Sequence, residues 1–159
     1  MPRNQLICYC DPFSNSNSFL MVNQDILTVF SSARLTLDDL LMLNSRSTFL
    51  VNSTLTPKEL NRFLKHWMKG SNPNLKYLKI QMNTDDVSED AVLEGMDARK
   101  MMADEKRSVE ILYDIAMEPS RETIRGGYDI KEGKATILLK NGDRTFCFEM
   151  FVWNLYNPT

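Results

Sequence analysis

The clearest hydrophobic pattern in the chain lies between residues 56 and 70. Large apolar side chains recur there at the spacing of one helix face, at Leu60, Phe63, Leu64, Trp67 and Met68. The preceding TPKE is a capping box, in which the threonine and the glutamate satisfy each other's backbone amides. Gly70 and Pro73 then stop the helix. The pattern predicts a capped amphipathic helix whose five-residue face is buried.

Short apolar runs recur through the first half of the chain and predict strands, at residues 26–30, 47–51 and 75–80. Each run precedes a polar loop and an acid-containing helix start, at residues 34–41, 54–61 and 86–93. Because strand–loop–helix order is common, a chance resemblance between these units stays open. We favour a repeat, and therefore predict an α/β fold built as a leucine-rich-repeat-like stack of strand–loop–helix units.

The second half of the chain changes character. Residues 84–112 are charged and methionine-rich, which we interpret as helix with a loose connection. The turn signals KEGK and NGD separate apolar runs after residue 120 and predict a C-terminal antiparallel β ribbon, with strands near 122–130, 135–140 and 144–152. We divide the chain into a poorly defined N-terminal segment, 1–24, and a domain over 25–155.

Composition and charge restrict the class of protein. The chain has 159 residues, 43% hydrophobic and 25% charged, as in an ordinary globular domain. Its net charge of −2 gives no general attraction to nucleic acid or to an acidic membrane. The N-terminus does not resemble a signal peptide, and the odd set Cys8, Cys10 and Cys147 fits a reducing compartment. We expect an intracellular protein, cytoplasmic or nuclear, with no membrane contact.

Few residues offer catalytic chemistry. His66 is the single histidine. Because it lies beside Trp67 on the predicted helix, we interpret it as a residue that flanks the apolar face and has no catalytic role. Cys147 lies in TFCFEMF, which we interpret as a strand with Cys147 facing the core, because free cysteines are usually buried. Catalysis by a thiol would require the two side chains to meet, which the sequence leaves open. We expect no enzyme, with a small enzyme that uses Cys147 as an alternative.

Metal and cofactor signals are equally sparse. Four acids cluster near a predicted helix start, at Asp85, Asp86, Glu89 and Asp90. They could hold a metal ion, although acids at a helix start are also favoured by the helix dipole. No glycine-rich phosphate-binding motif occurs in the chain. We therefore expect no cofactor.

A basic stripe lies opposite the apolar face of the predicted helix, at Lys58, Arg62, Lys65 and Lys69. Such a stripe could bind an acidic protein or nucleic acid. Lysine stems on a solvated helix face give the same pattern, and we favour that interpretation. Nucleic acid is thus an unlikely partner, and weak binding to it through this face is kept as an alternative. Arg62 and Lys65 remain partner-binding candidates.

Two blocks of this sequence closely resemble a known family. LTLDDLLMLNS at 35–45 and the segment 55–80, with its N-x-F-L-K-x-W-x-x-G-S-N-P-x-L pattern, are similar to the F-box-associated domain, type 2, of nematode F-box proteins. Residues 126–137, GGYDIKEGKATI, resemble a shortened form of that family's D-I-x-R-x-D-G-x-x-A-T-I segment, without its arginine and aspartate. The resemblance covers residues 25–150.

The resemblance implies a function. In that family the domain follows an F-box, which docks on the adaptor of a cullin-type ubiquitin ligase, and the domain selects substrates. Residues 1–25 are too short for an F-box. We therefore expect a protein–protein interaction module with an unknown protein substrate, and adaptor binding only if an F-box is present elsewhere.

Contact residues follow by analogy with leucine-rich repeats, whose strand positions facing away from the helices bind partners. On that basis the candidates are Lys76, Tyr77, Lys79 and Gln81, with Ser47 and Thr48 on the preceding strand.

Overall fold

The computed structural model describes residues 4–9, 23–84, 87–112 and 119–153. Within these ranges the chain forms ten strands and three helices. In chain order they are β1 (Gln5–Cys8), β2 (Gln24–Val29), α1 (Leu37–Met42), β3 (Ser45–Ser53), α2 (Pro57–Met68), β4 (Tyr77–Met82), α3 (Glu89–Leu93), β5 (Arg99–Lys100), β6 (Lys106–Leu112), β7 (Pro119–Arg125), β8 (Tyr128–Ile130), β9 (Ala135–Asn141) and β10 (Phe146–Val152).

Eight of the strands form one mixed sheet, in the order β1-β2-β3-β4-β10-β9-β8-β5. The first four are parallel, with Leu50 of β3 beside Ile80 of β4. The last four are joined antiparallel, and Phe148 of β10 lies on the other side of Ile80. Strand β4 is therefore the point at which the sheet changes from parallel to antiparallel.

Helices α1 and α2 are the crossovers that connect the parallel strands. Each begins at a threonine capping box, as the sequence predicts for Thr56. The Glu59 amide donates to Thr56 Oγ1 at 3.2 Å, and the Thr56 amide donates to Glu59 Oε2 at 2.7 Å. Asp39 closes the same box on Thr36 at the start of α1. The predicted helix after residue 56 is confirmed.

The main core lies between the helices and one face of the sheet. Leu60, Phe63 and Leu64 of α2 are fully buried there, Trp67 is nearly so, and Met68 packs half-buried against the same cluster. They share the core with sheet residues that include Leu78, Ile80, Phe146, Phe148 and Met150. Because each large apolar side chain contributes about 1.5–3 kcal/mol on burial, packing rather than capping stabilises α2 most. The predicted buried face is confirmed.

The opposite side of the sheet carries a separate two-stranded hairpin, β6–β7. Its Ile111 and Ile124 form a second, smaller core with Tyr77, Leu138 and Phe151 of the sheet. We call this side of the large sheet the hairpin face. It also carries the side chains that alternate with the main core, such as Lys79, Gln81, Cys147 and Glu149.

The predicted leucine-rich-repeat-like stack is wrong. Strand–loop–helix units do occur, and β2, β3 and β4 occupy the predicted apolar runs. The succession ends at β4, because α3 spans five residues and the next neighbour of β4 is the antiparallel strand β10. The C-terminal strands β8, β9 and β10 are antiparallel to one another, as predicted, and they complete the same eight-stranded sheet. The molecule is mostly β, with a mixed sheet and short helices.

Two further segments differ from the sequence prediction. The described residues between 84 and 112 contain one short helix, α3, and two strands, β5 and β6, instead of being mainly helical. The strand predicted near 122–130 is two strands in different sheets, β7 and β8, broken at the glycine pair. Gly127 has φ +102°, and a Cβ there would lie 2.5 Å from Leu138 Cδ2. Only glycine fits this crossing from the hairpin to the large sheet.

The predicted division at residue 25 stays a prediction. Strand β1 pairs in parallel with β2, so residues 5–8 belong to the edge of the large sheet. Residues 10–22 lie outside the described part of the chain.

Candidate functional site

Two asparagines of the motif blocks are buried and hydrogen-bond to the ends of helices. Asn61 Nδ2 donates to the carbonyl oxygens of Val92 and Glu94, both at 2.8 Å. Asn72 Nδ2 donates to the carbonyl oxygens of Leu40 and Leu43, both at 3.0 Å. These carbonyls lie at the ends of α3 and α1, where helices leave acceptors unpaired. These two asparagines of the motif therefore have a structural role inside the domain.

Asparagines also link the beginnings of the parallel strands. Asn74 Nδ2 donates to Asn44 Oδ1 at 2.7 Å, and Asn44 Nδ2 donates to Asn23 Oδ1. A second pair joins the opposite ends of β3 and β4, where Asn83 Nδ2 donates to Asn52 Oδ1 at 2.8 Å. These amide ladders hold successive strands in register. No local sequence pattern predicts them, because each joins residues about twenty to thirty positions apart.

The strongest electrostatic cluster ties the hairpin to the large sheet. Asp129 of β8 is buried and accepts from Arg107 of β6 at 2.7 and 2.8 Å and from Arg99 at 2.5 Å. Thr136 Oγ1 donates to the same carboxylate at 2.6 Å, and it accepts from Trp153 Nε1 at 2.8 Å. Glu105 accepts from both arginines at the outer side of the cluster.

The two acids of this cluster titrate far from their usual range. Burial alone would raise the pKa of Asp129, but hydrogen bonds from Arg107, Thr136 and Arg99 outweigh it and lower the pKa to about 2. Hydrogen bonds from Arg99 and then Arg107 lower the pKa of Glu105 to about 2. The hydrogen bond to Asp129 raises the pKa of Arg107 despite burial. All four groups are charged at neutral pH, which suits an anchor and not proton transfer.

A groove of about 210 Å³ opens between the hairpin and the starts of β3 and β4. Three aromatic rings form its floor: the Tyr77 and Phe151 centroids are 5.3 Å apart, and those of Phe151 and Trp153 are 6.2 Å apart. The wall is the middle of β6, from Val109 to Ile111. Tyr77 is fixed in place because its hydroxyl donates to the buried Glu149 at 3.0 Å.

The rim of the groove is mainly cationic. Arg46 and Lys76 line one side, together with Ser47. Glu110 lines the β6 side, where its carboxylate is already paired with Arg121 at 2.9 Å. Arg46 makes a long ion pair with Asp25, at 4.0 Å. The site thus combines an apolar aromatic floor with positive charge at its entrance.

The predicted contact residues fall on two sides of the molecule. Tyr77, Lys79 and Gln81 lie on the hairpin face, and Lys76 and Ser47 lie at the groove. Thr48 instead faces the helices, because it neighbours Leu78 in the parallel register. Arg62 and Lys65 belong to α2, across the sheet from these residues. Lys79 has a defined contact on the hairpin face, where its ammonium lies 5.5 Å from the Phe49 ring centroid.

The groups considered for catalysis do not come together. His66 is exposed on α2, whereas Cys147 lies on the hairpin face, so the sheet and the main core separate them. Cys147 does not face the main core as predicted, since Phe146 and Phe148 occupy those positions. Burial raises the pKa of the Cys147 thiol, which keeps it protonated at neutral pH.

The predicted acid cluster divides in the same way. Glu89 and Asp90 form the first turn of α3, where Glu89 accepts a hydrogen bond from Tyr128, whereas Asp85 and Asp86 lie outside the described residues. Within the described ranges, no group of three His, Cys, Asp or Glu side chains is arranged to hold a metal ion. Nor does any helix in those ranges have the length and apolarity to cross a membrane.

The comparisons with known proteins agree with the motif blocks. The model of a family described as F-box associated matches residues 15–80. That segment runs through the parallel half of the sheet, from before β2 into β4, and it contains α1 and α2. No curated protein and no solved structure matches the chain.

The resemblance to an F-box-associated domain is therefore confirmed over this segment, which indicates a role in protein interaction. For residues 126–137 the resemblance stays a prediction, because the match ends at residue 80.

Proposed function

We propose that this chain is a protein-interaction module that binds a partner protein through its hairpin face. The family match supports the interaction role. The placement of the motif residues supports the choice of face, because Phe63, Leu64, Trp67, Asn61 and Asn72 are all used internally, on the helix side of the sheet.

The hairpin face supplies what a protein interface needs. It combines half-exposed polar and charged residues, Lys79 and Gln81, with the aromatic groove beside β6. Interfaces are enriched in aromatic side chains at the centre and in polar groups at the rim. The groove and its cationic entrance have this arrangement. It is the observation that carries the proposal.

We further propose that the bound protein is a substrate for ubiquitin ligation. In this scheme the domain holds the substrate, and an F-box supplied with it would recruit the ligase adaptor. Rigid presentation suits that role, since the hairpin is fixed to the sheet by the Arg107–Asp129 pair. The proposal requires no catalytic residue in this chain.

Affinity capture with matched charge reversals tests the face. The intact chain, a Lys76→Glu/Lys79→Glu variant and an Arg62→Glu/Lys65→Glu variant would each be immobilised, and the captured proteins quantified. The two variants change net charge equally but on opposite sides of the sheet. We expect a partner that is lost with the first variant and retained with the second. Retention with both rejects this placement, and loss with the second alone moves the site to α2.

A reconstituted ligase tests the finer proposal. The chain would be fused behind an F-box, and the captured partner incubated with the adaptor, the cullin and the ubiquitin-transfer enzymes. We expect ubiquitination of the partner with the intact chain and its loss with Lys76→Glu/Lys79→Glu. A partner that binds but is never modified would leave the interaction role in place and refute substrate selection.

A further inference from the structure

We infer that the groove binds an extended segment of the partner protein, which adds as a strand to the outer edge of β6 and carries a bulky apolar side chain beside an acidic one. This inference rests on the proposed function and specifies the chemistry of the partner. Three features of the groove support it: an open strand edge, a preformed aromatic floor and an unbalanced positive rim.

The strand edge is the first feature. Strand β6 pairs with β7 along its whole length, from Lys106 to Leu112. Its other edge has no strand neighbour among the described residues, because β6 and β7 form a two-stranded sheet by themselves. The groove is lined by Val109, Glu110 and Ile111 of β6 and by no residue of β7. The edge of β6 that pairs with no described strand therefore borders the groove, which is the position that β-augmentation requires.

The aromatic floor is the second feature. Phe151 is buried at the bottom of the groove, between Tyr77 and Trp153. The two outer rings, Tyr77 and Trp153, are each held by a hydrogen bond. Tyr77 donates to Glu149, and Trp153 Nε1 donates to Thr136 Oγ1. Rings that are already oriented lose little conformational entropy when a ligand packs on them. A volume of about 210 Å³ accommodates one large apolar side chain, not a drug-sized ligand.

Charge is the third feature and selects the flanking residue. Across the groove from β6 stand Lys76 and Arg46. Lys76 has no ion-pair partner within the described ranges, while Glu110 on the β6 side is neutralised by Arg121. Lys76 thus presents uncompensated positive charge on the side that a docked strand would face. A glutamate or aspartate next to the apolar anchor complements it.

A defined library tests this inference without knowledge of the natural partner. Randomised peptides of seven residues, the length of β6, would be displayed and selected on the intact chain, on Lys76→Glu and on Lys69→Glu. Lys69 is an exposed lysine just past the end of α2 and serves as the matched control. We expect enrichment of a bulky apolar residue adjacent to an acidic one on the intact chain and on Lys69→Glu. The acidic preference disappears on Lys76→Glu.

Backbone methylation tests strand addition. A selected peptide would be synthesised with N-methyl groups on either of its two alternating sets of amides. Because alternate residues of a strand direct their amides to the same side, one set should abolish binding by more than about tenfold while the other changes it by less than about twofold. Equal tolerance of both sets overturns strand addition.

Other outcomes of the library selection would contradict the inferred peptide chemistry. Enrichment of basic residues, an acidic preference that survives Lys76→Glu, or a library without any enrichment would each overturn the inference. If the captured partner is still lost with Lys76→Glu/Lys79→Glu while the library shows no enrichment, the proposed function stands and this inference alone fails. If the partner binds at α2 instead, the proposed face fails as well.

Discussion

Arg107 and Asp129 form a bidentate ion pair, with Nη1 at 2.7 Å from Oδ1 and Nη2 at 2.8 Å from Oδ2. Arg107 belongs to the hairpin and Asp129 to the large sheet. Asp129 is 5% exposed, so its carboxylate is shielded from water, and the pair holds the hairpin on the sheet. The position of the groove depends on it, because β6 forms one wall.

Replacing Asp129 with asparagine should therefore destabilise the protein. The change leaves Arg107 and Arg99 facing a neutral amide. Breaking a fully buried pair costs about 3–5 kcal/mol, and because Arg107 is 26% exposed we expect about 2 kcal/mol. Urea denaturation measures this loss. The control is Arg121→Ala, which removes an ion pair whose two side chains are both largely solvent-exposed, and it should cost less than about 1 kcal/mol. Equal effects would contradict the anchor.

Stability should depend on pH through the same cluster. The pKa values of Asp129 and Glu105 are about 2 in the folded protein, below the ordinary values of 3.8 and 4.5. The folded state thus binds fewer protons than the unfolded state in this range. The stabilisation is fully present above pH 4.5 and is lost as pH falls towards 2. Denaturation midpoints measured at several pH values check this, and Asp129→Asn should show a shallower decline. A pH-independent midpoint between 4.5 and 2 would refute the assignment.

The motif asparagines should behave as structural residues. Asn61→Ala and Asn72→Ala each remove a buried amide that donates to two helix-end carbonyls. Unpaired buried acceptors cost about 1–3 kcal/mol, so we expect losses of that size in thermal or urea unfolding. Asn74→Ala, at an exposed ladder position, should change stability by less than about 0.5 kcal/mol. Partner binding that vanishes in a stably folded Asn61→Ala would show that this residue has a direct contact role.

Cys147 should react slowly with thiol reagents. Burial raises its pKa, so little thiolate is present at neutral pH. In a chain with Cys8 and Cys10 replaced by alanine, we expect labelling at pH 7 to be at least about tenfold slower than in the urea-unfolded chain. Fast labelling of the folded protein would revive the alternative of a thiol enzyme.

The sequence predicts local structure correctly where a residue's conformation and burial depend on residues close to it in the chain. The capping box at Thr56 and the buried face of α2 depend on spacings of three and four residues. The turn after Ile130 and the turn after Asn141 were likewise predicted from their glycine-containing signals. These elements are confirmed.

The sheet topology could not be predicted from the sequence, because it depends on contacts between residues that lie far apart in the chain. The apolar run at β4 fits equally well beside another parallel strand or beside antiparallel β10. Nothing local indicates that β10 returns to pair with a strand about seventy residues earlier. The hairpin anchor was missed for the same reason, since Arg107 and Asp129 lie far apart in the chain. The groove exists only once these long-range pairings are made.

Site-specific photocrosslinking tests the central claim most directly. A photoreactive amino acid would replace Gln81 on the hairpin face or, in a separate protein, His66 on the exposed side of α2. With the partner identified by affinity capture, we expect a crosslink from position 81 and none from position 66. A crosslink from position 66 alone would contradict it and make the helices the interaction surface.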